Sequence, residues 1–507
     1  MLNKFYNQTN LAKKIKNLKK NKKKIVLCHG VFDLVHLGHI KHFEEAKSKG
    51  DVLVVSVTSD RYVEKGPGRP FFNEKQRIQF LSSLKLVDFL LLSDSKNANH
   101  SIKIIKPNIY CKGPDYKDNK KDITGQIKLE KNLVKKYGGK IYYTDDITFS
   151  SSNLINQADF FHTHSKKNLF KILKNEYDFE YIRNIFKKIS KLRVLVLGEI
   201  IIDQYCFGEI LGKSGKEPYL VFKKTKLEEY LGGAYIISKS ISNFVKNVEL
   251  ISYLGSDQKY LKKINNNLSS NLKVNIINKK NSPTIVKRRY VDNVNNSKLF
   301  GVYDSNDDLL IKNQQERLYK ILLKKINKFD LIIVSDYGHG LISPKISNLI
   351  CSKANYLSLN TQINSSNIGY HSLKNYKKSD CLLINERELR YELKDKNSKI
   401  ELLMKKLSKI QKVRNLVVTR GSKGSILFNM KSKKFFYCPA LAQKIIDKVG
   451  AGDSMLSLIS LCFYSKLNEN LSLVIGSLAA AQSVETTGNK NSIDKVLLMK
   501  SLKYLLK

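Results

Sequence analysis

Two short stretches of the chain combine residue types and spacing suited to handling phosphate. His36 and His39, three residues apart with Gly38 between them, follow closely on Gly30 and Phe32. If they open a helix just beyond a strand, both imidazoles can face one anion. There they would steady charge growing on an α-phosphate during in-line displacement. Gly30 and Gly38 would let the backbone approach that anion closely. The plainer alternative is that His36 caps the helix and His39 packs in the core. The second stretch is Gly450-Ala451-Gly452-Asp453. Small residues at a helix start expose N–H groups able to hold a transferred γ-phosphoryl, and the carboxylate of Asp453 can take the proton of an attacking hydroxyl. Its plainer alternative is a glycine-rich turn capped by Asp453.

Both stretches need strands and helices to place them, and the apolar pattern supplies these. Strand-like runs at 24–28, 52–57, 89–92 and 109–111 alternate with helical spacing at 40–49 and 74–84. That alternation predicts a parallel sheet with both faces covered. A second such pattern starts at 193–198, continues through 331–334, 382–384 and 416–419, and ends in helices near 454–465 and 471–484. The expected class is α/β with two domains: a nucleotide-binding parallel sheet at 24–160 and an α/β/α sheet at 191–507, with a polar, Lys-rich linker at 161–190. The first 23 residues read as a basic amphipathic helix packed on the first domain.

Composition narrows the function. The 507 residues carry 90 Lys+Arg against 45 Asp+Glu, a formal charge of +45. Nucleic acid is the obvious partner for such a charge. However, Lys, Asn and Ile are jointly abundant, Trp is absent and the lysines are spread along the whole chain, as an A/T-rich coding sequence would produce. The charge is therefore read as solvated faces with some attraction for phosphorylated small molecules, and no nucleic-acid partner is expected. Apolar residues at 42% suffice for real cores, and no apolar run approaches the roughly 20 residues of a membrane span, so no membrane insertion is expected. Seven scattered cysteines without a C-x-x-C pair argue against a zinc site or disulfide framework and for the cytoplasm.

Residues 24 to about 156 resemble the cytidylyltransferase-like nucleotidyltransferases. The likeness rests on His36-Leu37-Gly38-His39, Asn73-Glu74-Lys75-Gln76-Arg77, Lys112-Gly113-Pro114-Asp115-Tyr116 and Ser150-Ser151-Ser152. It implies a Rossmann-like fold in which His36 and His39 contact the triphosphate. Lys41 would hold phosphate oxygens, and Ser151 and Ser152 would close over the phosphates. Arg77 and Lys112 would be further nucleotide contacts. The donor is left as CTP or ATP.

Residues 193 to about 492 resemble the ribokinase-like (pfkB) sugar kinases. Here the likeness rests on the segment Gly198–Asp203, Gly232-Gly233, Asn385-Glu386-Arg387-Glu388, Thr419-Arg420-Gly421 and Gly450–Asp453. It implies Asp453 as base, Gly450, Ala451 and Gly452 as anion hole, and Thr419 and Gly421 on the nucleotide side. Asp203, Gly232 and Gly233 would hold the sugar, and Glu388 would organise Mg2+ through water. Lys287-Arg288-Arg289 falls where a basic sugar-phosphate contact, chiefly Arg289, would sit; the alternative is one more product of Lys-rich composition. Together the halves resemble the bifunctional heptose-type kinase/nucleotidyltransferases, with the domain order reversed. The resemblance implies an enzyme of nucleotide-sugar biosynthesis using Mg2+, ATP and a nucleoside triphosphate; the oligomeric state, a homodimer included, is left open. The rival is a polyol-phosphate cytidylyltransferase fused to a separate sugar kinase.

Overall fold

The computed structural model describes residues 4–63, 70–113, 126–144, 164–256, 258–364, 366–442 and 444–506. The chain divides into two compact units, 1–164 with 499–507, and 165–498.

In the first unit β1 (Ile25–Gly30), β2 (Val52–Thr58), β3 (Phe89–Ser93), β4 (Ile109–Lys112) and β5 (Lys140–Tyr143) form a sheet of order 3-2-1-4-5, parallel throughout. The chain leaves β1 toward β2 and β3, then returns to the other side for β4. The crevice at the carboxyl end of β1 is therefore the ligand position that such a sheet offers. Alternation along β1 places Val26 and Cys28 in one core and Ile25 and Leu27 in another, so both faces are covered. Leu11 and Ile15 of the basic helix Gln8–Lys20 are buried in the second of these cores. The apolar stripe thus docks the helix and leaves Lys13, Lys14, Lys16 and Lys20 outward.

In the second unit β6 (Arg193–Gly198), β9 (Asn247–Leu254), β10 (Leu272–Asn278), β13 (Leu331–Asp336), β14 (Leu357–Thr361), β15 (Ser379–Asn385), β16 (Val413–Thr419), β17 (Ser425–Asn429) and β18 (Lys434–Cys438) form one sheet of order 10-9-6-13-14-15-16-17-18. Only the β16–β17 and β17–β18 pairs are antiparallel. A second sheet of four strands carries β7 (Ile200–Lys213), β8 (Leu220–Gly233), β11 (Val286–Asp292) and β12 (Lys298–Asp304) in the order 12-11-7-8. The apolar runs do not announce this sheet, because its strands mix charged and aromatic residues. The segment read as a linker, whose spacing is helical, contains helices His164–Glu176 and Phe179–Ile189, the latter burying Ile182, Ile185, Phe186 and Ile189. Among the described residues no helix is long and apolar enough to cross a membrane, and the seven cysteines, all buried, form no disulfide.

Candidate active sites

In the first unit the loop after β1 is pinned on all sides. Phe32 adopts a left-handed backbone (φ +50°) and turns its ring inward, edge-on to His39 at 5.6 Å and against Phe43 at 5.2 Å. Asp33 is buried and accepts hydrogen bonds from the backbone N–H groups of Phe71 (2.7 Å) and Phe72 (2.9 Å). Helix Leu37–Ser48 then starts with a reciprocal cap: the N–H of Gly38 donates to His36 Nδ1 at 3.1 Å, and the N–H of His36 donates to His39 Nδ1 at 3.4 Å. Because each Nδ1 accepts, the proton of each neutral ring sits on Nε2. The rings lie 4.1 Å apart, so both Nε2–H groups are preset donors from one helix start. Capping and anion binding are therefore compatible, since the cap orients the rings. Lys41, on the same helix, is exposed.

Arg77 differs from the expected nucleotide contact. Its guanidinium is closed off from solvent and donates to the carbonyls of Phe72 (2.9 Å), Val31 (2.5 Å) and Thr58 (2.8 Å) and to Asp60 Oδ1 (2.6 Å). It ties the loop after β1 to the end of β2 and so acts through the loop's shape. Lys112 ends β4 with its ammonium 2.9 Å from buried Glu130, which also accepts from the Tyr110 hydroxyl. Burial, then the Lys112 charge, push the His29 imidazole down to about 3, so His29 stays neutral beside the crevice. Ser151 and Ser152 lie outside the described residues.

In the second unit the site gathers where β6 and β13, neighbours in the large sheet, end. Glu199, just past β6, is buried and accepts N–H bonds from Tyr337 (3.0 Å), His339 (3.2 Å) and Leu341 (3.4 Å). This carboxylate shapes the loop after β13 that bears Tyr337. The Tyr337 hydroxyl in turn donates to Asp453 Oδ1 at 2.8 Å. Burial raises Asp453 to about 6, against the opposing pull of that hydrogen bond. Asp453 stands in the first turn of helix Ala451–Tyr464, whose cap Gly450 has φ +84°. A side chain there would be strained, and its Cβ would fall 2.2 Å from Asn489 Oδ1.

Asp203 of β7 is buried between Arg289, whose Nη1 donates at 2.6 Å, and Asn489, whose Nδ2 donates at 2.7 Å. Gly232 leaves room for this carboxylate, since a Cβ would meet Asp203 Oδ2 at 2.2 Å. Gly233 caps helix Ala234–Ser242 directly behind it. Asp447 anchors the loop leading to Gly450 through Tyr205 (2.5 Å), Lys298 (2.5 Å) and the N–H of Val449 (3.1 Å). The basic run splits by strand alternation. Arg288 turns to Gln204 at 2.8 Å, while Lys287 and Arg289 face the site beside Asp203.

Glu388 forms a capping box with Asn385, each backbone N–H donating to the other's side chain at 2.8 Å, and Ile363 N–H adds a 3.3 Å bond. Burial, and to a smaller extent the Asp453 charge, raise this carboxyl to about 7 against the opposing pull of those hydrogen bonds. Thr419 ends β16 beside Asn385, and Gly421 begins the turn that follows. Among the described residues no cluster of three metal-binding side chains occurs. Asn489, Asp447, Lys298 and Tyr337 escaped the sequence reading of roles. Only Asp447 and Tyr337 lie in segments with any sequence signal, since Asn489 and Lys298 reach the site from distant elements.

Residues 191–496 match the pfkB family carbohydrate kinase pattern, and residues 27–158 the cytidylyltransferase-like pattern. Among curated relatives, Bifunctional protein HldE of Campylobacter jejuni subsp. jejuni serotype O:6 is 42% identical over 138 residues, 25% of this chain and 30% of that protein. HldE of Aliarcobacter butzleri is 43% identical over 133 residues, 26% and 27% of the two chains. HldE of Campylobacter jejuni strain RM1221 is 25% identical over 324 residues, 63% and 67% of the two chains. The chain thus spans less than a third of the length of the first two relatives in each match. The ribokinase of Thermotoga maritima superposes with a TM-score of 0.48 at 17% identity, covering 62% of this chain and all of that one. Through residues 191–496, more than half its length, the chain belongs to the pfkB family of carbohydrate kinases.

Proposed function

We propose a bifunctional enzyme of nucleotide-activated sugar biosynthesis, ADP-heptose-like, that works in the cytoplasm. The second unit phosphorylates a sugar or sugar phosphate with ATP; the Rossmann-like first unit joins a sugar phosphate to a nucleotide and releases pyrophosphate. The observation that carries the reading is Asp453, a carboxylate raised to about 6 at a helix N-terminus and oriented by the Tyr337 hydroxyl. It accepts the proton of the sugar hydroxyl as that oxygen attacks the γ-phosphorus, and Gly450, Ala451 and Gly452 present N–H groups to the phosphoryl. Asp203, held by Arg289 and Asn489, orients the hydroxyls of the acceptor. Thr419 and Gly421 flank the adenine nucleotide.

In the first unit the Nε2–H groups of His36 and His39 stabilise the α-phosphate, assisted by Lys41, with Ser151 and Ser152 closing over the triphosphate. Lys112 supports that pocket electrostatically, and Arg77 by holding the loop that carries Phe32. Bound with its nucleotides, Mg2+ would supply charge neutralisation on their phosphates. Glu388 fits an outer contact to it through water, because its oxygens already accept backbone N–H groups.

A screen of ATP and CTP against heptose and hexose phosphates, reading ADP and pyrophosphate separately, tests the reading. ADP formation dependent on the sugar and pyrophosphate release with ATP are expected. Pyrophosphate from CTP alone would replace the ADP-sugar reading by a cytidylyltransferase, and no sugar-dependent ADP would remove the kinase half.

A further inference from the structure

Lys287 is an anomaly that the site does not yet explain. It lies in β11 with its Cα paired to Asp203 on one side and Tyr303 on the other, and it is 7% exposed. Among the described residues no hydrogen bond or ion pair holds its ammonium, which lies 5.6 Å from the centre of the Tyr303 ring. Its neighbours Arg288 and Arg289 both have carboxylate partners. A cation taken from water without a partner is costly, and such groups persist where a ligand supplies the missing anion.

The surrounding charges say where that anion would lie. Burial lowers the Lys287 pKa, Asp203, Glu199 and Asp453 pull it back up, and the Arg289 charge opposes them. Lys287 in turn holds Asp453 down. The ammonium therefore sits within the field of the sugar-side carboxylate and of the base at once.

We propose that Lys287 is a catalytic residue of the kinase reaction, contacting the phosphoryl group in transit between ATP and the acceptor hydroxyl. This rests on the kinase half of the proposed function. In the step, the acceptor oxygen bonds to the γ-phosphorus, the bond to the β-bridging oxygen breaks and ADP leaves. The hydroxyl proton passes to Asp453. Lys287 neutralises charge on the equatorial oxygens and is unchanged at the end. A contact to a phosphate already on the acceptor is the competing role, and the two are separable.

The full chain carrying Lys287→Met, with Lys287→Arg alongside, is assayed for ADP formation with a heptose phosphate and with the corresponding unphosphorylated heptose. Wild-type turnover is established first; if it is absent, the kinase reading itself fails. We expect kcat of Lys287→Met to fall by roughly 10²–10³ with both acceptors, with sugar KM changed less than about threefold. The acid limb of the rate profile should move to higher pH as Asp453 loses its nearby cation; the other charged and titratable groups near Asp453 are Asp203, Glu388 and Tyr337. Lys287→Arg should recover part of kcat. Lys287→Met should melt no lower than wild type, because it removes an unpartnered buried charge, whereas loss of a structural lysine would lower the melting temperature. An effect confined to the phosphorylated acceptor, or kcat and acid limb both unchanged, would overturn the proposal. If Lys287→Met does not fold, Lys287→Arg with wild-type kcat and a raised KM for the heptose phosphate alone would overturn it equally.

Discussion

Replacing Arg77 by methionine separates a residue that holds the nucleotide from one that holds the loop. Methionine keeps much of the apolar stem but deletes a guanidinium that is 0% exposed and makes four hydrogen bonds. Three of the acceptors are backbone carbonyls, each losing a charge-assisted donor at about 1 kcal/mol or more. The fourth, Asp60, is 37% exposed and can be rehydrated, so its loss is put at about 1 kcal/mol. The sum, roughly 4 kcal/mol, falls in the range for breaking a buried charged pair. For a unit of this size it corresponds to roughly 8–16 °C in Tm. The assay is thermal melting of the full chain with pyrophosphate release and sugar-dependent ADP formation followed in parallel. Pyrophosphate release should become heat-labile while ADP formation persists. If Arg77→Met melts like wild type yet raises KM for the nucleoside triphosphate tenfold or more, the guanidinium reaches the nucleotide and the positioning argument is wrong.

Asp453→Asn should lower sugar phosphorylation by about 10²–10⁴ without affecting pyrophosphate release. The kinase rate should fall as pH drops through about 6, where Asp453 takes up a proton and ceases to act as a base. Because folding raises this carboxyl from 3.8 to about 6, the folded state is penalised as pH rises through that window. Asp453→Asn should therefore raise Tm at pH 8 and leave it nearly unchanged at pH 4; equal melting at both would refute the assignment of the shift to burial. Gly232→Ala places a methyl 2.2 Å from Asp203 Oδ2, so sugar KM should rise at least about tenfold, as initial rates against sugar concentration will show. His39→Ala removes both an Nε2–H donor and half of the reciprocal cap, and pyrophosphate release should disappear while sugar-dependent ADP formation continues.

Elements whose residues repeat with helical or strand period were readable directly. The runs expected at 24–28, 52–57, 89–92 and 193–198 lie in strands because a strand buried on both faces is apolar along most of its length. The charged signatures were legible for the same local reason: a histidine pair or a glycine-rich turn needs contiguous residues to shape a helix start. The four-stranded sheet was not, since its strands mix charged, polar and aromatic residues and Asp203 and Arg289 meet only across strands.

The residues themselves determined where phosphate chemistry is to be sought, because H-x-G-H and G-A-G-D each open their own helix. Only the tertiary structure decided which cations belong to those sites. Lys287, Arg288 and Arg289 are equivalent in a lysine-rich chain charged +45, yet strand alternation and register send one to Asp203, one to Gln204 and leave one buried without a counter-ion. Arg77 likewise became a strut once folding closed protein carbonyls around it. Charge is a property of composition, whereas the partner of a charge depends on which distant strands are brought within about 3 Å of it.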